Sequence, residues 1–221
     1  MDIRFLDEET YEVRGIAVDG LTETHFCVFD LEGTGINFNT EHITQIGAVT
    51  LTSELEAERS FSTLVYSPKA VPPFISAMTG INDELLRNAP SFQEAYQQFE
   101  AFSANTVLVT QAGYEYDVPL LRNHCRQYGT PMLTNPILDI KALFVCIHPE
   151  ITNIISTDFL IRYYDLPHRD LQRHDASGDC MLIARIFKAI MQEYRDREID
   201  AIDWREGITV RRFQIPGMVL T

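Results

Sequence analysis

The chain is expected to fold as an α/β domain in which a mixed five-stranded sheet is flanked by helices. Three observations predict it. Apolar or alternating stretches of strand length recur at residues 25–29, 43–51, 60–66, 106–110 and 137–140. Stretches with helical start signals separate the later ones, and the order strand meander, helix, strand, helix, strand, helix suits a sheet covered by helices. Residues 25–29 are wholly apolar after His25 and read as a buried strand. Residues 43–51 and 60–66 alternate, so 25–66 is expected to be an antiparallel meander, ended by Pro72 and Pro73. Asn82 caps a short helix through residue 88, and Ser91 with Glu94 forms a capping box opening a helix whose buried side is Phe92, Ala95, Phe99 and Phe102.

Residues 106–110 form the fourth strand. Asp117 opens a helix that runs to Tyr128 and stops at Gly129, residues 137–140 supply the fifth strand, and Ser156 caps another helix. A loop through residues 165–168 leads to the final long helix, where Ile183, Phe187, Ile190 and Tyr194 fall on one face. Asp179, one turn before Ile183, is expected on the sheet-facing side, toward Asp30. Residues 1–23 alternate around Asp7 and Thr10 and predict a β-hairpin; residues 207–214 alternate weakly and predict an added β element.

Five polar residues in three clusters carry the chemistry: Asp30 and Glu32, then Asp117, then His174 and Asp179. Asp30 and Glu32 are two apart just past the first apolar strand, so both side chains leave one face. At about 4 Å and an effective dielectric of roughly 20, each pair of carboxylates repels by about 4 kcal/mol, so a four-acid cluster calls for bound cations. Oxygen ligands without a Cys/His cage favour Mg²⁺ or Mn²⁺, and such ions bridge a phosphate and a water, which points to phosphodiester hydrolysis. Singly, each fragment is weak: an acid pair at a strand end is a common turn feature, and Asp179 alone is an ordinary first-turn acid.

Taken together, the clusters resemble the DEDDh (DnaQ-like) 3′-to-5′ exonuclease superfamily. Its first motif, Asp-x-Glu-x-Thr-Gly, is matched by Asp30-Leu-Glu-Gly-Thr-Gly35; its Phe/Tyr-Asp pair by Tyr116-Asp117; and its His-x-Ala-x-x-Asp by His174-Asp-Ala-Ser-Gly-Asp179. The resemblance implies a ribonuclease H-like fold for an exonuclease domain at residues 24–194, between an N-terminal extension 1–23 and a C-terminal extension 195–221. It implies that Asp30, Glu32, Asp117 and Asp179 hold two divalent metal ions and that His174 takes the proton from the attacking water. By the same resemblance, Leu31, Gly33, Thr34 and Ile81 contact the terminal nucleotide of a DNA or RNA 3′ end. Three positions depart from the usual pattern. Ala112 and Gly113 replace a frequent His and Asn, Gln45 stands where an acid is common, and Met78 where a His often precedes Gly-Ile. Two rival readings stay open, a proofreading subunit tied to a DNA polymerase and a non-catalytic nucleic-acid-end binding module. A homo-oligomer is a further expectation.

A net charge of -14 argues against tight non-specific duplex binding, which depends on phosphate neutralisation. Arg162, His168, Arg169, Arg173 and His174 nevertheless share one segment. It reads either as a local phosphate-binding surface, with Arg169 and Arg173 as substrate contacts, or as a solvated loop. The cysteines at 27, 125, 146 and 180 are too irregularly spaced for a zinc knuckle and read as reduced packing residues. No apolar run approaches 20 residues and the start lacks a secretory layout, so the expected location is the cytoplasm, without membrane association.

Overall fold

The computed structural model describes residues 1–168, 170, 171 and 174–213. Its elements in order are β1 (Asp2–Phe5), β2 (Thr10–Arg14), β3 (Ala17–Asp19), β4 (Phe26–Gly33), β5 (Ile43–Leu51), β6 (Ala57–Leu64), α1 (Pro73–Thr79), α2 (Asp83–Leu86), α3 (Phe92–Phe102), β7 (Val107–Thr110), α4 (Asp117–Tyr128), β8 (Ile137–Asp139), α5 (Ile140–Ile147), α6 (Thr157–Tyr163), α7 (Ala176–Asp196), β9 (Ala201–Asp203) and β10 (Ile208–Arg211).

The main sheet has the order β6-β5-β4-β7-β8. β4, β5 and β6 pair antiparallel as a meander, whereas β7 and β8 join parallel to β4 through helical crossovers. Strand alternation sorts the central strand into two faces. Phe26 meets Phe187 of α7 edge-on at 4.8 Å, and Phe29 meets Phe99 of α3 at 5.6 Å. By the same period Asp30 and Glu32 lie on the Phe26 side, the face that α7 covers. The β4–β5 register shifts between Glu32 and Gly33, so the strand is irregular where the acids end.

α7 can lie close to the sheet because position 47 is glycine. A Cβ there would stand 2.5 Å from the backbone carbon and oxygen of Ala176. The helix start is further tied to β5 by Gln45, whose Oε1 accepts from the Ala176 N–H at 3.3 Å while its Nε2 donates to Asp175 Oδ1 at 3.2 Å. Asp175 in turn caps the helix by accepting from the Gly178 N–H. Gln45, where an acid is common in the resembled family, thus works here as a helix-start clamp.

The capping box at Ser91 and the glycine stop at Gly129 form as their sequence signals predict. At the N-terminus, β1 and β2 pair around a turn in which Asp7 Oδ1 accepts from the Glu9 and Thr10 N–H groups. β10 adds to the other edge of β2, and β3 pairs with β9.

Four features differ from the sequence expectation. Pro72 and Pro73 do not merely end the meander: Pro73 occupies the first turn of α1, where its missing N–H is harmless. α5 is a helix that the sequence reading leaves out: it follows directly on the three-residue β8, and Ile140 to Phe144 and Ile147 are all buried, Lys141 among them. Cys146 is exposed rather than packed, its sulfur accepting from Trp204 Nε1 at 3.1 Å; the other three cysteines are buried and all four are free thiols. The first strand runs through Glu32 instead of stopping at Phe29, so the two acids belong to the sheet itself.

Candidate active site

The end of β4, the turn before α4 and the start of α7 converge on one cavity of about 290 Å³. Asp30, Glu32, Asp117, His174 and Asp179 all line it, together with Leu31 and Gly33. Oxygens of Asp30, Glu32 and Asp179 lie within 4.8 Å of one another. Two causes bring them there: strand alternation for Asp30 and Glu32, and the glycine-permitted approach of α7 for Asp179.

Asp117 is 4% exposed, and its Oδ2 accepts from the Thr110 hydroxyl at 2.7 Å. The turn that delivers it is shaped by Gly113, where a Cβ would sit 2.3 Å from Thr110 Oγ1 and 2.8 Å from Asp117 Oδ2. Asp139, at the end of β8, holds the same turn from below. Its Oδ1 accepts from the Ala112 N–H at 3.3 Å and its Oδ2 from the Tyr114 N–H at 3.1 Å. That grip keeps Ala112 in a left-handed conformation at φ 55°. Tyr116 closes over Gly33, donating its hydroxyl to Gly35 O at 2.6 Å; a Cβ at Gly33 would meet that hydroxyl oxygen at 2.2 Å.

Burial and crowding disfavour ionised carboxylates here. Burial, reinforced by the charges of Asp179, Asp117 and Asp175, pushes Glu32 up to about 8. Asp117 is pushed up to about 7, chiefly by burial and against the Thr110 hydrogen bond. Burial likewise raises Asp139 to about 6. Carboxyls held in this way are relieved by a cation, and an all-oxygen donor set of this size fits a hard divalent ion. The residues present therefore fit such a metal.

His174 is exposed at the cavity edge with φ 58°, and its N–H donates to Asp179 Oδ2 at 2.7 Å. The backbone of the histidine is thus tied to an acid of the cluster.

Two of the expected pocket residues are elsewhere. Thr34 does not line the cavity: it is 1% exposed and donates its hydroxyl to Glu41 Oε2 at 2.6 Å, beside Lys69. Ile81 packs with Val71, Ile75 and Leu86, and it is Ile75 together with Met78 that reaches the cavity. Arg169 and Arg173 lie outside the described residues. Arg162 and His168 are exposed, and near them Arg185 forks onto Asp170 at 2.8 and 2.6 Å. Asp139 was readable as an acid inside an apolar strand. Arg212 and Phe213, which also line the cavity, sit in a weakly patterned tail with no signal to connect them to it.

Comparison with known proteins places the chain among exonucleases by family and by fold. A family profile described as Exonuclease (RNase_T) matches residues 27–187. The DNA polymerase III subunit epsilon of Treponema pallidum is 26% identical over 194 residues, spanning 85% of this chain and 86% of that protein. A PolC-type DNA polymerase III from Caldanaerobacter subterraneus is 25% identical over 190 residues, but the chain spans only 13% of its length. Among solved structures, the nuclease domain of 3′hExo, a DEDDh family member bound to rAMP, superposes with TM-score 0.68 at 18% identity, covering 77% of this chain and 93% of that one. E. coli exonuclease I in complex with a dT13 oligonucleotide gives 0.65 at 15% identity, covering 79% and 42%. These last two likenesses speak to the fold, the ribonuclease H-like sheet. With the profile spanning most of its length and its three acidic motifs converging on one cavity, the chain belongs to the RNase_T exonuclease family, as a member of the DEDDh (DnaQ-like) superfamily.

Proposed function

We propose that the protein is a metal-dependent exonuclease that removes nucleotides one at a time from the 3′ end of single-stranded DNA or RNA. The observation that carries the reading is the meeting of Asp30, Glu32 and Asp179 within 4.8 Å in a cavity that Asp117 and His174 also line. Asp30, Glu32 and Asp179 would hold one divalent ion of the Mg²⁺ or Mn²⁺ type, and Asp30 with Asp117 a second. When bound, such ions supply positive charge to the phosphate and acidify a water. His174, exposed at the edge, accepts the proton of the attacking water in its neutral form. Leu31 and the Gly33 backbone bound the space for the terminal nucleotide, with Tyr116 closing over Gly33. At about 290 Å³ the cavity is at the lower end of small-ligand sites, which suits one chain end and not a duplex.

The test is digestion of 5′-labelled DNA and RNA oligonucleotides of matched sequence with Mg²⁺ or Mn²⁺. A ladder shortening by one nucleotide at a time is expected. Immediate release of labelled mononucleotide, internal cuts, or undiminished activity in excess chelator would overturn the proposal. The subunit epsilon relatives, matched over most of both chains, favour a second reading in which the same activity serves a DNA polymerase partner. Co-elution with a bacterial replicative polymerase on gel filtration separates that role from a free-standing nuclease.

A further inference from the structure

Nothing in the three acidic motifs accounts for the part of the cavity wall that the chain just past β10 contributes, Arg212 and Phe213. Five of the described lining residues are acids: Asp30, Glu32, Glu115, Asp117 and Asp179. Among the described lining residues, Arg212 alone carries a fixed positive charge. For a chain of net charge -14 whose substrate is a polyanion, that cation is placed where attraction is most needed.

The position of Arg212 is built by the terminal sheet. Its backbone N–H donates to Glu9 O at 2.7 Å, its Nη1 donates to Asp7 O at 3.0 Å, and its guanidinium carbon stands 4.4 Å over the Phe5 ring. Among the described residues it forms no ion pair with any of the five acids. Among the described residues its Nε–H is buried without an acceptor, so the hairpin leaves donor capacity on the guanidinium unused. The next residue locks the segment to the site. Phe213 N–H donates to Glu115 Oε2 at 2.8 Å, and its ring lies 4.1 Å from Nζ of Lys141, a buried lysine paired with Glu115. Glu115 is two residues before Asp117, so the terminal strand and the acid-bearing turn are fastened together.

We infer that Arg212 is a substrate-binding residue that contacts a phosphate of the bound strand, supplied by the terminal sheet and not by the motif-bearing core. The inference rests on the exonuclease reading above. A guanidinium offers a planar fork suited to phosphate oxygens, and held against Phe5 it meets the substrate already oriented.

The experiment uses the full chain and an eight-nucleotide oligothymidylate, with binding measured in Ca²⁺ in place of Mg²⁺. Its phosphates are replaced singly by neutral methylphosphonates. In the unaltered protein one linkage is expected to cost about tenfold in affinity when neutralised, the scale of one charge-assisted hydrogen bond. Arg212→Gln should bind the all-phosphate strand about tenfold more weakly, lose the penalty at that linkage only, and flatten the log-log salt slope by about 0.7. A purely structural arginine would leave the pattern of penalties unchanged, and that result overturns the assignment. Arg212→Lys covers the case in which Arg212→Gln does not fold. It keeps the charge but not the fork, so several-fold weaker binding at an unaltered salt slope is expected, and wild-type affinity overturns the proposal. Failure of the underlying reading looks different: the unaltered protein would then release no nucleotide from the oligomer with Mg²⁺ or Mn²⁺.

Discussion

Removing divalent metal should make the protein less stable as pH rises from 6.5 to 8. In the metal-free fold Glu32 sits near 8 and Asp117 near 7, both above the value of about 4 expected of an unfolded chain. Their raised values mean that the folded state holds protons the unfolded state has released, so the stability they contribute is lost as pH passes through 7 and 8. Integrating the two titrations over that window gives a loss of about 2 kcal/mol, set against a typical total of roughly 5–15 kcal/mol. Below that window His124, pushed down to about 4 by burial, has the opposite sign, its stabilisation growing as pH climbs toward about 6.5. Above it the buried thiol of Cys27, pushed up to about 12 by burial, begins to oppose folding once unfolded thiols ionise near 8.5. Urea unfolding followed by the fluorescence of Trp204, the one tryptophan and 4% exposed, reads the change directly. With an m-value of about 2 kcal/mol/M, the midpoint in chelator should fall by roughly 1 M between pH 6.5 and 8. Saturating Mg²⁺ should abolish or reverse the fall, because a bound cation keeps both carboxylates ionised and stabilises the fold by mass action. A midpoint in chelator that is flat or rises across the window would refute the reasoning.

Asp30→Asn should abolish nuclease activity in the digestion assay and remove the stabilisation that divalent metal gives, read as a loss of the difference between thermal melts with and without chelator. His174→Gln should lower the single-turnover rate by about 10²- to 10⁴-fold with little change in affinity for an oligonucleotide, and equal loss of both would make the residue structural. Gly47→Ala forces a Cβ to within 2.5 Å of the Ala176 backbone, so destabilisation by about 1–3 kcal/mol and reduced activity through displacement of Asp179 are expected in denaturation and digestion assays. Gly113→Ala, which meets Thr110 and Asp117 together, should impair activity more than stability because it disturbs a ligand.

The legible parts of the fold were those whose signal is local. Ser91 and Glu94 satisfy each other's backbone within four residues, and Gly129 ends α4 in the left-handed conformation that a glycine at a helix stop predicts. The acids were readable for a related reason: spacing two on a strand and five across a helix start is fixed by backbone geometry once the element is known. α5 was hidden because it is only eight residues long and continues directly from β8 as a mostly apolar run, which its pattern alone does not tell from a strand. β9 escaped notice because three residues paired with a strand far away in sequence carry no pattern of their own. Thr34 and Ile81 were placed on the cavity wall by analogy of position, and the turn after β4 instead directs Thr34 toward Glu41 while Ile81 anchors α1 from behind.

What sequence motifs cannot convey is which distant segment completes a site, and the terminal sheet is the instance here. β10 adds to β2 beyond the family match, yet the two residues that follow it reach the same cavity as Asp30 and Asp179. On the function proposed above the acids would hold metal, and their negative charge would repel the phosphate chain that the metal must engage. A fixed cation on the cavity wall counters that repulsion before any ion pair is possible with the acids themselves. Drawing it from a segment outside the catalytic core keeps the motif geometry intact, since Arg212 is held by Phe5, Asp7 and Glu9 and not by a metal ligand. The link from Phe213 through Glu115 to the turn of Asp117 then makes the placement of that cation depend on the same turn that places Asp117.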